Sequence, residues 1–263
     1  MSCLFFLAGC CFSERVFFFL RVFFFSVVAL RCNMPEYGKA DYWDERYKAN
    51  DTTFDWFVAF EPLKDIFASL IKPEHKVLVI GCGNSRVSPQ LYDSGIFQIT
   101  NIDISEVVIG QMRSRYREMD RMEWIKMDAM KLEFPENQFD VVIDKGTVDS
   151  LLCGSNSFHN VYTMNKQISR VLKRGGKYII ITYGQPDTRI DHYRRKRLHF
   201  DVEHRTIDKP VFTTDVSPVS SYHVYVATKN EDVRDAAAAG DDEDDEDEED
   251  DDFYDKFQAN VAM

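Results

Sequence analysis

Cysteine is scarce where a fold would use it. Four of the six, Cys3, Cys10, Cys11 and Cys32, fall in the first 32 residues, which leaves Cys82 and Cys153 for the rest of the chain. That distribution offers no disulfide framework and no zinc-ligand spacing, and it fits a reducing, cytoplasmic setting. The six histidines make no His-Glu-x-x-His pattern, so no metal is expected. A basic surplus is also missing. Asp241 to Asp252 is an unbroken run of 12 acidic residues, and outside it 32 acids face 32 Lys and Arg. The net charge of −12 therefore belongs to that run. No nucleic-acid partner is expected, because such a partner needs a basic surface.

A leading membrane span is lacking too. The longest uncharged stretch near the start, Met1 to Ser13, is too short to cross a bilayer as a helix. No positive charge precedes Ser13, as a secretory signal would require. Residues 1–33 nevertheless differ from the remainder, holding nine of the 21 phenylalanines. They read as an apolar leader absent from the mature protein, with Met34 as the working start; the alternative, if they are retained, is a membrane anchor. Residues 231–263, with Ala236 to Ala239 and the acidic run, read as a disordered tail, because like charges at this density repel and cannot bury a core. Such a tail either solubilises the chain or steers it toward a basic partner.

What is present lies between Tyr37 and Asn230, where strand and helix patterns alternate. Lys76 to Ile80 is an apolar run closed by Gly81, the pattern of a buried parallel strand. Ser85 to Ser94 fits a helix, with Pro89 early and Gly95 after its end. Gln98 to Asp103, Trp124 to Asp128, Phe139 to Asp144, Lys177 to Thr182 and Tyr222 to Lys229 read as further strands. Ser105 is placed to cap the helix that carries Val108, Ile109 and Met112. Val161, Met164, Ile168, Val171 and Leu172 have helical spacing, with Arg174-Gly175-Gly176 as the expected stop. Strands alternating with helices predict a parallel sheet covered on both faces.

Gly81-Cys82-Gly83-Asn84-Ser85 sits where the first strand turns into the first helix. Glycines there allow close backbone approach to a ligand, or simply a tight turn. The third glycine of the dinucleotide fingerprint is absent, since Ser85 stands in its place. Asp103 ends the second strand 20 residues after Gly83, where an acid accepts both hydroxyls of an adenosine ribose. Asp128 is expected to end the third strand, placed to meet an adenine edge. Three strand ends on one edge converge on one crevice and imply an adenosine-containing ligand, either NAD or S-adenosylmethionine.

Leu172-Lys173-Arg174-Gly175-Gly176-Lys177 resembles the Leu-Lys-Pro-Gly-Gly element of class I methyltransferases, and the late strand resembles their antiparallel last strand. Val77 to Ser85, Asp144-Lys145-Gly146-Thr147-Val148-Asp149-Ser150-Leu151-Leu152, Tyr42-Trp43-Asp44-Glu45-Arg46-Tyr47 and Phe54-Asp55-Trp56-Phe57 are more specific. They resemble the methyltransferase-like family that contains the lysine methyltransferases of translation elongation factor 1-alpha. The resemblance covers Tyr37 to Lys229 and implies a Rossmann-like α/β fold over residues 34–230, with a mainly parallel seven-stranded sheet, helices on both faces and an antiparallel last strand. It implies S-adenosyl-L-methionine as cofactor. By matching position, Trp43, Tyr47 and Trp56 fold over the cofactor, Gly81 and Gly83 underlie it, Asp103 and Ile104 take ribose and flank adenine, Asp128 and Ala129 meet the adenine edge, and Lys145 lines the pocket. Two departures stand out: Val79 occupies a position often held by an acid, and His199 to Ser221, expected in the substrate wall, matches the family poorly.

The reaction implied is protein-lysine N-methylation of elongation factor 1-alpha. In-line transfer needs alignment and a neutral amine rather than a covalent nucleophile. Asp144, Asp149 and Tyr183 are candidates to orient that amine. No Asn-Pro-Pro-Tyr motif follows the fourth strand, which disfavours amide or adenine methylation. Arg194-Arg195-Lys196-Arg197 is the densest basic run, expected near the active-site cover, where it grips an acidic partner or pairs with the acidic tail. Two other functions stay open: a small-molecule methyltransferase of the same fold, and a non-catalytic interaction protein acting through its tail.

Overall fold

The computed structural model describes residues 37–209 and 221–230. Residues 1–33 and the tail at 231–263, for which a leader and a disordered segment are expected, lie outside the described residues. Among the described residues no helix is long and apolar enough to cross a membrane.

Seven strands form one sheet. They are β1 (Val77–Ile80), β2 (Ile99–Asp103), β3 (Met122–Lys126), β4 (Phe139–Lys145), β5 (Leu172–Thr182), β6 (Phe200–Asp208) and β7 (Ser221–Lys229). The order is β3-β2-β1-β4-β5-β7-β6. The first five strands run parallel, whereas β7 is antiparallel to both β5 and β6. The helices are α1 (Ala40–Ala49), α2 (Lys64–Leu70), α3 (Val87–Asp93), α4 (Glu106–Arg115), α5 (Thr147–Leu152), α6 (Ser157–Val171) and the short α7 (Pro186–Arg189).

Alternate residues of each strand point to opposite faces, so the two faces build separate cores. Val77, Val79, Val141, Ile143, Ile179 and Ile181 pack with Phe67 of α2, Leu91 of α3 and Val108, Ile109 and Met112 of α4. Leu78, Ile80, Val142, Tyr178 and Ile180 pack with Val148 of α5 and with Val161, Met164, Ile168 and Val171 of α6. The continuous apolar strands follow from this burial on both sides. Ser105 caps α4 as expected: its side chain accepts from the Val108 N–H.

Two expectations need correction. β3 ends at Lys126, where its partner β2 ends at Asp103. Asp128 therefore lies in the following turn, where its Oδ1 accepts from the Met130 N–H at 2.8 Å, a usual task for Asp at a turn. Arg174-Gly175-Gly176 does not stop α6. That helix has already ended at Val171, and Leu172 is extended and paired with Phe139. The glycines instead form an irregularity inside β5, across which the register against β4 shifts; Gly175 has φ +72°. Of the stretch expected in the substrate wall, Phe200–Asp208 forms β6, paired to β7 throughout, and residues 210–220 lie outside the described residues.

The basic run lies away from the cleft described below. Arg195 places its guanidinium 4.4 Å from the Tyr162 ring centroid on α6, and none of Arg194, Arg195, Lys196 and Arg197 lines that cleft.

Candidate active site

A cleft of about 270 Å³ opens at the C-terminal edge of the parallel strands, where sheets of this kind bind ligands. All ten residues expected to touch the cofactor line it. Gly81, Gly83, Asp103 and Ile104 come from the ends of β1 and β2. Asp128 and Ala129 come from the turn after β3, and Lys145 ends β4. Trp43, Tyr47 and Trp56 come from the segment that precedes the sheet.

The glycine turn depends on its missing side chains. Gly81 and Gly83 have φ of +52° and +50°, which other residues reach only at a cost. A Cβ on Gly81 would run into the Thr147 hydroxyl, and one on Gly83 would lie 2.8 Å from the Tyr47 hydroxyl. The turn is held to β2 by Asp103, whose Oδ2 accepts from the Gly83 N–H at 2.9 Å while Oδ1 accepts from the Ser105 N–H at 2.9 Å. A carboxylate offers about four acceptor positions, so capacity remains for a ligand. Burial pushes the Asp103 carboxyl up to about 6, against the pull of those N–H donors.

The aromatic cover is built on itself. The Trp43 ring stacks on Tyr47 at 5.8 Å and meets Trp56 edge-on at 6.5 Å, and the Arg46 guanidinium lies 5.1 Å from the Trp56 ring centroid. Tyr47 and Trp43 also pack into the core under α4, so these rings both pack the first helix and wall the cleft.

Two carboxylates fasten this cover, and the sequence reading passed over both. Asp44 accepts from the Ser105 hydroxyl and from the Val107 N–H at 3.3 Å, at the start of α4. Asp55 accepts from the Ser85 hydroxyl and forms a 3.1 Å ion pair with Lys145. The Lys145 ammonium also donates to the Trp56 carbonyl at 3.0 Å. Burial lowers the Lys145 pKa, and the Asp55 charge opposes that shift. Lys145 thus lines the cleft and pins its cover. The signal for both acids lay within the two aromatic motifs, whose rings drew attention from the acids between them.

The candidates for orienting an amine separate. Asp144 does not line the cleft. It is fully buried, accepts from the Thr147 and Val148 N–H groups and from the Tyr178 hydroxyl, and so caps α5. Its carboxyl is pushed up to about 7, chiefly by burial. Asp149 and Tyr183 do line the cleft. Asp149 is paired with Arg189 at 2.9 Å and accepts from the Thr182 hydroxyl at 2.6 Å. Burial raises its pKa and Arg189 opposes the rise.

Comparison with known proteins agrees with this architecture. A methyltransferase domain family matches residues 78–180. EEF1A lysine methyltransferase 4 of Mus musculus is 36% identical over 181 residues, covering 65% of this chain and 71% of the relative. The eEF1A lysine and N-terminal methyltransferase of Mus musculus is 45% identical over 154 residues, which cover 57% of this chain but 22% of that longer protein. Among solved structures, an SAM-dependent methyltransferase of Methanosarcina mazei superposes with a TM-score of 0.50 at 17% identity, covering 67% of this chain and 99% of its own, a likeness of fold.

Proposed function

Because the chain belongs to the EEF1A lysine methyltransferase family, we propose that it methylates the side-chain amine of a lysine in translation elongation factor 1-alpha. It is an S-adenosylmethionine-dependent methyltransferase. The observation that carries the proposal is the convergence of the Gly81–Gly83 turn, the buried Asp103 and the fastened aromatic cover on one cleft.

These residues fit the cofactor. Asp103 retains acceptor capacity for ribose hydroxyls, and the bare glycines leave room for a close backbone approach. Ile104 would flank the adenine, with Asp128 and Ala129 at its edge. S-adenosylmethionine, when bound, supplies an electrophilic methyl group on a sulfonium. Trp43, Tyr47 and Trp56 present aromatic faces suited to a cation. The Lys145–Asp55 pair adds no net charge beside it. The acceptor nitrogen must have lost its proton before it could take that methyl group. A free lysine holds that proton to a pKa of about 10.4. Apolar, aromatic walls lower that value by desolvation, and fixed alignment supplies the larger part of the acceleration. We also propose a cytoplasmic setting, on the cysteine distribution, and a basic partner for the acidic run.

Incubating the full chain with radiolabelled S-adenosylmethionine and purified elongation factor 1-alpha tests the proposal. Label on a lysine of the factor is the expected result. Cofactor binding without label on the protein leaves a small-molecule methyltransferase, and no cofactor binding by a folded chain leaves the interaction protein.

Cofactor affinity is expected to depend on pH with a definite sign. The raised Asp103 carboxyl holds its proton until about pH 6, and its ionised form is the better acceptor. S-adenosylhomocysteine affinity should therefore rise about tenfold from pH 5 to pH 7 and then level off. Calorimetric titration at several pH values reads this, and Asp103→Asn should flatten the profile.

A further inference from the structure

The side of the cleft beside Gly146 and Tyr183 holds a residue under backbone strain. Phe57 has φ +64°, a region that residues with a Cβ avoid. The Val58 N–H donates to the Trp56 carbonyl at 2.8 Å, which closes a three-residue turn around Phe57 of the rarer, strained hand. Lys145 grips the same carbonyl and the Asp55 side chain before it. The turn therefore cannot relax without breaking buried contacts.

The strain places a ring. The Phe57 ring lies so close to Gly146 that a Cβ there would sit 3.1 Å from it. Tyr183 and Tyr222 are 5.6 Å and 5.9 Å away between centroids. Asp149 lines the same part of the cleft. Its Oδ1 takes the Thr182 and Arg189 donors and its Oδ2 is buried, so this carboxylate braces the wall through Thr182 and Arg189. Asp103 and Asp128 belong to the β2 and β3 side of β1. Phe57, Tyr183 and Asp149 belong to the β4 and β5 side. With the ribose acid on β2, the end left for the acceptor is the one at β4 and β5.

We propose that Phe57 and Tyr183 wall a slot for an unbranched aliphatic amine, the side chain of the acceptor lysine. The proposal rests on the lysine-methyltransferase reading. The flat rings suit methylenes and a cationic or neutral nitrogen. The strain is kept because only this backbone conformation sets the Phe57 ring against Gly146 and Tyr183.

Phe57→Gly makes the test sharp, because glycine relieves the strain while deleting the wall. In the full chain the variant should stay folded, with strain relief offsetting part of the packing lost with the ring, and bind S-adenosylhomocysteine within about twofold of wild type. Its kcat/KM on elongation factor 1-alpha should fall at least tenfold. Tyr183→Leu, at a site 43% exposed, should show the same split and guards against a folding defect in the first variant. Wild-type turnover in both variants overturns the proposal, as does a loss of cofactor affinity equal to the loss of turnover. A wild-type chain that binds no S-adenosylhomocysteine fails the methyltransferase reading itself. If it binds cofactor but leaves the factor unlabelled, n-butylamine titrated onto the S-adenosylhomocysteine-loaded protein reads the slot. Saturable binding that weakens at least tenfold in Phe57→Gly supports the slot, and binding that is absent or unchanged overturns it.

Discussion

Asp103→Ala should lower S-adenosylhomocysteine affinity by about 100- to 10,000-fold, as read by calorimetric titration of the full chain. A hydrogen bond to a charged acceptor contributes about 1.5–3 kcal/mol, and an adenosine ribose offers two hydroxyls to this carboxylate. At about 1.4 kcal/mol per decade, two such bonds span two to four decades. Asp103 also holds the glycine turn through the Gly83 N–H and the start of α4 through the Ser105 N–H, so part of the loss will come from a loosened turn. Asp103→Asn keeps one oxygen acceptor and should fall between the two. Micromolar binding by a folded Asp103→Ala chain would remove the ribose assignment, and with it the orientation of the ligand along the cleft.

Lys145→Met should destabilise the fold by about 3 kcal/mol. Removing one partner of a buried pair leaves the other charge uncompensated, at a cost of about 3–5 kcal/mol. The side chains of Lys145 and Asp55 are 7% and 14% exposed, which places this pair at the lower end of that range. For a domain of this size the melting temperature should drop about 6–12 °C. The loss should grow when S-adenosylhomocysteine is present, because Lys145 also fixes the Trp56 carbonyl and so the cover over the ligand. Lys145→Met with Asp55→Asn should recover much of the stability, since replacing both charges leaves no orphan. A double variant as unstable as the single one would show that Lys145 acts through packing rather than through the pair.

The parts of the site that could be read early share one property: each is a local pattern. The apolar run into Gly81 and the Ser105 cap are written within a few residues of where they act, and the spacing to Asp103 covers one strand–helix–strand unit of 20 residues. The unbroken apolar run also located β1, because burial on both sides leaves such a stretch. The end of β3 was misplaced because a strand stops where its partner stops, and that partner lies more than 20 residues earlier. The glycine pair inside β5 looked like a helix stop because the same residues serve either purpose; pairing of Leu172 with Phe139 decided between them. β6 was missed because it is an edge strand with exposed Glu203 and His204, which dilutes the apolar signal.

By itself, then, the sequence determined the alternating α/β order, the two buried faces, the glycine turn and the acid that faces it. All of these follow from residue type and short-range spacing. Tertiary structure alone decided which acids fasten the cover, that Lys145 closes on Asp55 and Trp56 from 89 positions away, that Asp144 caps a helix while Asp149 reaches the cleft, and that Phe57 is held in strain. These outcomes depend on groups meeting across the fold, and a contact between distant residues leaves no mark on the pattern around either one.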